Sequence, residues 1–244
     1  MTQTDKIRLT KDAVIYPESD GKPMGDNTRQ TTWIVFLFDV LEALFAANPD
    51  VFVAANLLWY PIQGDNITRI GPDVMVAFGR PKGHRGSYKQ WEEAGLAPQV
   101  VFEVKSPGNT KQEMQNKALL YSRYGSEEYY LYDPERGTLR VWLRQEEQLV
   151  ELEPSQLQGG WVSPRLQVQL ELVGRDLAVY DLFGQRFTNY TQERAARERA
   201  EAQRQQAEIE KKRAEAQRQQ AEAENARLKA LLRQANIIDS DSLS

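Results

Sequence analysis

The 244-residue sequence contains no cysteine, which excludes disulfides, thiolate metal sites and thiol catalysis and fits a reducing cytoplasm. It holds one histidine, His84. No apolar run is long enough to cross a membrane: the longest, residues 33–47, is too short and carries Asp39 and Glu42. Residues 1–12 are polar and lack the basic-then-apolar order of an export signal. These absences lead us to expect a cytoplasmic protein with no membrane partner. Excess positive charge is lacking too. The formal net charge of −4 argues against a protein that holds nucleic acid by bulk electrostatics, so any such contact has to be local. The balance is uneven: eleven basic and eight acidic residues make positions 193–233 +3, while twenty basic and twenty-five acidic residues make positions 1–192 −5. With 41% hydrophobic residues the chain can bury one sizeable core. We expect a globular domain over residues 1–188 and a helical tail over 189–244 with disordered last residues.

Residues 98–107 read Pro-Gln-Val-Val-Phe-Glu-Val-Lys-Ser-Pro and have the composition of a buried strand. Alternation puts Glu103 and Lys105 on one face, Phe102 and Val104 on the other. Two opposite charges leaving an apolar strand together need a reason. Upstream, residues 67–79 hold a second apolar strand that begins directly after Pro72 and Asp73. Paired strands entered at Asp73 and left at Glu103 would bring both carboxylates and Lys105 to one sheet edge. Two carboxylates, with waters and phosphate oxygens, suit Mg²⁺, and an adjacent ammonium can orient or deprotonate an attacking water. The same residues also suit a surface salt bridge between Glu103 and Lys105 beside a turn proline, and local spacing leaves the two readings level.

A longer pattern separates them. Gly71-Pro72-Asp73, then Phe102-Glu103-Val104-Lys105-Ser106-Pro107-Gly108-Asn109, then Lys117, Tyr121, Tyr124-Gly125 and Glu128-Tyr129-Tyr130 follow in order. This order resembles the Uma-two family of restriction-endonuclease-like proteins, part of the PD-(D/E)XK nuclease superfamily, over residues 14–172. The resemblance implies an α/β restriction-endonuclease-like core, a mixed central sheet flanked by helices. It implies Asp73 and Glu103 as metal ligands, the Val104 carbonyl as a third, Lys105 as the catalytic lysine, and Mg²⁺ as cofactor with Mn²⁺ as substitute. Family members often lack that lysine; its presence here favours an intact site. The superfamily often places an acid of the first helix at the metal. That helix is read from about residue 27 to 47 as apolar nearly all round and hence buried. Glu42, and after it Asp39, are therefore candidates, although both also fit a narrow solvated stripe.

Between the two strands, residues 79–91 interleave Arg80, Lys82, Arg85 and Lys89 with glycines, Tyr88 and Trp91. Such a loop can hold DNA phosphates through side chains and backbone N–H groups, and it also fits a solvated insertion. His84 reads as a loop hydrogen-bonding residue rather than a general base. Residues 51–62 and 67–76 read as strands around a turn at Gly64-Asp65-Asn66. Thr110 and Glu113 have capping-box spacing and Gly125 is a natural stop, so residues 111–124 should be helical. Lys117 and Tyr121 share one face of that helix, where they match the family's lysine and tyrosine and can touch phosphate or support the metal. Filling core space is the other reading of Tyr121, and snorkelling to solvent that of Lys117. Further β structure is expected over 127–132, 138–144, 148–152 and 161–172, and residues 177–187 close the globular part.

The tail repeats itself: residues 199–212 and 213–226 are identical at eleven of fourteen positions, in two heptads rich in Ala, Glu, Gln and Arg. Such composition makes a long helix. Its alanine columns give a weak coiled-coil seam that improves only at Leu228, Leu231, Leu232, Ala235 and Ile238. We expect a mobile or weakly self-associating helix, with a homodimer, a homo-oligomer or a helical partner as its outcome. Taken together, the sequence reads as a Mg²⁺-dependent endonuclease acting on DNA. The alternative is a catalytically silent nuclease-fold protein that binds or assembles through its tail; action on RNA or branched DNA would use the same chemistry.

Overall fold

Three apolar five-residue runs of the chain, Val51–Ala55, Val74–Phe78 and Val100–Val104, become adjacent strands of one sheet. The computed structural model describes residues 14–19, 21, 25–188 and 190–241. By its contacts the chain falls into two units, Met1–Asn189 and Tyr190–Ser244. The polar stretch 1–12 and the final residues 242–244 lie outside the described residues.

In chain order the elements are α1 (Thr28–Leu44), β1 (Val51–Ala55), β2 (Trp59–Tyr60), β3 (Val74–Phe78), β4 (Tyr88–Lys89) and β5 (Val100–Val104). They continue with α2 (Lys111–Tyr124), β6 (Glu128–Asp133), β7 (Thr138–Gln145) and β8 (Gln148–Glu151). The unit closes with β9 (Trp161–Val162), β10 (Gln169–Val173) and β11 (Asp176–Tyr180). Six strands form the main sheet in the order β1-β3-β5-β6-β7-β8. Its pairs are antiparallel except β5 with β6, the one pair joined through a helix, α2. A parallel pair needs such a crossover, and the mixed sheet follows from it.

Alternation along the strands divides the core in two. Val74, Val76, Phe102, Val104, Tyr130 and Tyr132 face the side covered by α1 and by β10 and β11. Met75, Ala77, Val101, Tyr129 and Leu131 face α2. Helix α1 starts where the Asn27 carboxamide accepts from the Gln30 backbone N–H at 2.9 Å, and it buries Ile34, Leu37, Val40 and Leu41. Their three- and four-residue spacing puts them on one stripe. Each such side chain contributes about 1.5–3 kcal/mol when fully buried. Helix α2 starts at Thr110, whose hydroxyl accepts from the Glu113 N–H at 3.1 Å, and stops at Gly125 with φ +106°. A left-handed residue ends a helix cheaply only when it is glycine.

Strands β1 and β3 pair as expected, but the link is not a tight hairpin. Pro61 and Pro72 have no N–H to give a ladder, so residues 61–73 form a loop, held by Asp65, whose Oδ1 accepts from Ile67 and Thr68 N–H at 2.8 and 2.9 Å. The run 161–172 is likewise two strands around a turn. Gln167 there has φ +56°, and Leu166 and Val168 still reach the core. The second unit is the single helix α3, Tyr190–Asp241. On it Ile209, Leu228, Leu231 and Leu232 are 46–67% exposed. Among the described residues no helix is long and apolar enough to cross a membrane.

Candidate active site

The register of β3 against β5 pairs Val74 with Phe102. Carried one residue further, it sets Asp73 opposite Glu103. Both fall on the α2 side of the sheet and both are buried, at 7% and 2% exposure. Two carboxylates in that position repel each other and lose hydration, so each needs compensation. Asp73 Oδ2 accepts from the Val104 N–H at 2.6 Å. Glu103 receives two donors from α2: Lys117 Nζ at 2.7 Å on Oε2, and the Tyr121 hydroxyl on Oε1. Lys117 and Tyr121 are four apart, one helical turn, and so serve the same carboxylate. The Tyr121 ring stacks on Trp59, centroids 6.2 Å apart and nearly parallel, which fixes the hydroxyl.

Proton affinities follow from this geometry. Burial pushes the Asp73 carboxyl well above its ordinary range, and the Glu103 charge adds to it; Lys117, the Val104 N–H and Gln30 pull back only in part. Burial would lower the Lys117 ammonium, but Glu103 and Asp73 outweigh it and hold the group above its usual value. Burial and Glu103 together push the Tyr121 hydroxyl well up, so it stays a donor.

An open cleft of about 800 Å³ exposes this arrangement; Asp73, Glu103, Lys117, Gln30, Asn56 and Arg69 are among its walls. Its lining includes five carboxylates, with Glu18, Asp26 and Glu113 beside the central pair, against the cations Arg69 and Lys117. The donors suit a hard divalent cation. Asp73 and Glu103 share one close ammonium, Lys117. Among the described residues no group of three or more His, Cys, Asp or Glu side chains could hold a metal. An ion here would therefore keep several waters, as Mg²⁺ does. The Val104 carbonyl already accepts from Gln30 Nε2 at 2.8 Å and retains one lone pair.

The other candidates go elsewhere. Lys105 does not line the cleft: its Nζ pairs with Asp133 Oδ2 at 3.1 Å, and its backbone N–H donates to Tyr132. The alternation of β5 does keep Glu103 and Lys105 on one face, but β6 brings Asp133 up beside the lysine and takes it. Glu42 pairs with Lys82 at 3.4 Å, and neither it nor Asp39 lines the cleft; the residue that α1 contributes there is Gln30. The cations of the basic loop are already paired, Lys82 with Glu42 and the other three with carboxylates just after the loop. Glu93 takes both Arg80 and Arg85, at 2.9 and 2.6 Å, Glu92 takes Lys89 at 3.3 Å, and the Arg85 guanidinium lies over Phe52 at 3.9 Å. None of the four cations is among the cleft's lining residues, and His84 is exposed. Tyr121 is fully buried and bonded to Glu103, so it supports the site rather than meeting a ligand.

Two cleft residues escape a sequence reading. Gln30 carries a faint signal, three positions after the Asn27 cap. Asn56 carries none: it has φ +52°, and its buried Nδ2 has no hydrogen-bond partner among the described residues.

A crystal structure of a "putative nuclease" of the DUF820 family from Anabaena variabilis is similar to the chain, at 16% identity and a TM-score of 0.45. The similarity covers 59% of this chain and 76% of that one. No curated protein matches the chain. The model of the Uma2 family, described as "putative restriction endonuclease", matches residues 18–180. That is well over half of the sequence and includes the whole motif order from Asp73 to Tyr130, so the chain belongs to the Uma2 family of restriction-endonuclease-like proteins.

Proposed function

We propose that this chain is a Mg²⁺-dependent endonuclease, with Mn²⁺ as a substitute, that hydrolyses phosphodiester bonds in DNA. The observation that carries the reading is the buried, face-to-face pair of Asp73 and Glu103 at the wall of an open cleft, with Lys117 bonded to Glu103. Family membership supports nuclease chemistry. Asp73, Glu103 and the free lone pair of the Val104 carbonyl would hold the ion, which when bound supplies Lewis-acid stabilisation of the charge that builds on the phosphate. Lys117 and Tyr121 hold Glu103 in place, one on each oxygen. The Lys117 ammonium also lines the cleft, where it can meet a phosphate oxygen. Water would attack phosphorus in line, giving up one proton to solvent as its oxygen forms the new P–O bond; the bond to the 3′ oxygen breaks, and the 3′ oxygen takes up a proton from solvent. In this proposal the lysine's role passes from Lys105 to Lys117, because Lys105 is spent on Asp133.

Nicking of supercoiled plasmid with Mg²⁺, with Mn²⁺ and with chelator tests the reading. Asp73→Ala, Glu103→Ala and Lys117→Ala should each lose on the order of 10²-fold or more, the scale of removing one preorganised charge-stabilising group. Lys105→Ala should keep most activity. Cleavage that survives both carboxylate substitutions would sink the assignment. An RNA transcript in the same assay decides between substrates.

A second reading, a catalytically silent protein that binds or assembles through α3, is favoured by the charge of the cleft and by the pairing of the basic loop's cations. Absence of nicking with any metal by the folded protein would select it.

A further inference from the structure

Among the described residues the cleft is lined by two cations, Arg69 and Lys117. Lys117 is bonded to Glu103 at 2.7 Å. Arg69 is exposed and, among the described residues, meets no carboxylate; its Nη1 donates to the Asn66 carbonyl at 3.2 Å. A guanidinium has five N–H donors in a fixed fork, so most of its capacity faces solvent in the cleft. Two residues before it, Ile67 lines the same cleft and is 85% exposed. A lone apolar side chain at a surface is ordinary. This one stands on a candidate site's wall beside a cation with no counter-charge.

The loop that carries both is held firmly. Asp65 Oδ1 takes the Ile67 and Thr68 N–H groups at 2.8 and 2.9 Å. The Gly64 N–H donates to the Tyr16 hydroxyl at 2.6 Å, and Asn66 Nδ2 to the Ile15 carbonyl at 2.8 Å. Directly after Arg69, the Ile70 N–H and carbonyl both bond the Trp59 backbone, at 3.0 and 2.7 Å. The Trp59 ring stacks on Tyr121, whose hydroxyl holds Glu103. A continuous set of contacts therefore fixes the loop relative to the carboxylate pair, and little ordering is left to be done when a ligand arrives.

A cleft with this many carboxylates repels a polyanion, so a strand entering it needs a cation on the way in. The guanidinium fork suits a phosphate, which it can hold through two parallel bonds. Along a nucleic acid each phosphate is followed by a sugar and a base, and a cation next to an apolar side chain matches that unit. We infer that Arg69 and Ile67 bind the nucleotide next to the scissile phosphate, Arg69 on its phosphate and Ile67 on its sugar or base. The inference deepens the nuclease reading proposed above and rests on it.

The test is the affinity of the full-length chain for a short fluorescent DNA duplex, read by anisotropy at a fixed Ca²⁺ concentration from about 50 to about 200 mM salt. The slope of log affinity against log salt counts the phosphates neutralised, about 0.9 for each. Arg69→Gln should make the slope shallower by about that amount, and Arg69→Lys should keep it. Arg186→Gln, an exposed cation that is not among the cleft's lining residues, should change nothing. Ile67→Ser should weaken binding about tenfold at every salt concentration with the slope unchanged, as loss of an apolar contact does. An unaltered slope in Arg69→Gln, or the same slope change in Arg186→Gln, would overturn the phosphate contact, and wild-type affinity in Ile67→Ser would overturn the apolar one. A wild-type chain that binds no duplex at any salt concentration would remove the nuclease reading itself, a result distinct from binding that ignores position 69.

Discussion

Asp73 is the least comfortable residue of the molecule. Its folded proton affinity is raised by burial and by Glu103. Between the ordinary carboxylate range and that raised value the folded state therefore holds a proton that the unfolded state has released. Stability in this window falls as pH rises. Above it Asp73 is charged in both states and the folded one carries the whole penalty. Asp73→Asn should then raise the melting temperature of the metal-free protein at pH 8 and leave it unchanged near pH 4. A gain of about 2–4 °C would correspond to about 1 kcal/mol in a domain of this size. Mg²⁺ should stabilise wild type and not the variant, since an ion supplies the charge that the substitution removes. Scanning calorimetry at both pH values checks this, and a variant less stable than wild type at pH 8 without metal would contradict it.

At the scale of elements, the loop between β3 and β5 is closed by one carboxylate. Burial alone would raise Glu93, but Arg85 and Arg80 outweigh it and hold the group below its ordinary range. Its contribution is therefore present above the ordinary carboxylate range and lost as pH falls through the lowered value. Glu93→Gln should open the loop at neutral pH, read as faster tryptic cleavage at Arg80 and Arg85, whose side chains are 20% and 13% exposed in the closed form. Unchanged cleavage would mean that the remaining contacts, Arg85 on Phe52 and the Arg85 bonds to the Pro81 and Gly83 carbonyls, suffice. The same loop shows what a sequence conveys and what it withholds. The strands at 74–78 and 100–104 and the helix at 111–124 are legible because period, caps and composition agree locally. The pairing of Arg80 and Arg85 with Glu93 is not, because a basic run looks the same whether its counter-charge is solvent, phosphate or a carboxylate folded back on it. For the same reason Glu103 and Lys105 read as partners two residues apart, while the fold exchanges them: Lys117 comes to Glu103 from α2, and Asp133 comes to Lys105 from β6. Gln30 marks the limit of pattern reading, since an apolar helix draws the eye to its acids at 39 and 42 and not to an amide on its first turn.

For the whole molecule, charge and helix length set the behaviour. Helix α3 runs 52 residues with side-chain pairs such as Glu208 with Lys212 at 2.8 Å and Arg218 with Glu222 at 3.2 Å. Pairs of this kind add only about 0.2–0.5 kcal/mol each. Its apolar residues concentrate near the end, where Leu228 and Leu231 are both 52% exposed and Leu232 is 67% exposed. Completing the burial of three half-covered leucines per chain gains about half of the 1.5–3 kcal/mol that full burial of each contributes. Association costs about 4–15 kcal/mol in lost freedom, so the gain from two chains is of the same size as the cost. Self-association through α3 should be weak and concentration-dependent. Sedimentation of the full chain across a hundredfold concentration range should show mass rising with concentration. A chain ending at residue 188 should stay monomeric throughout, and so should the full chain carrying Leu228→Glu and Leu231→Glu. A truncated chain that still dimerises would place the interface on the first unit, and a full chain monomeric at every concentration would leave α3 free for a different helical partner. Plasmid nicking by the truncated chain completes the argument: activity that follows mass would mean that two sites must act together, and activity retained by the monomer would mean that the cleft at Asp73 and Glu103 is sufficient by itself.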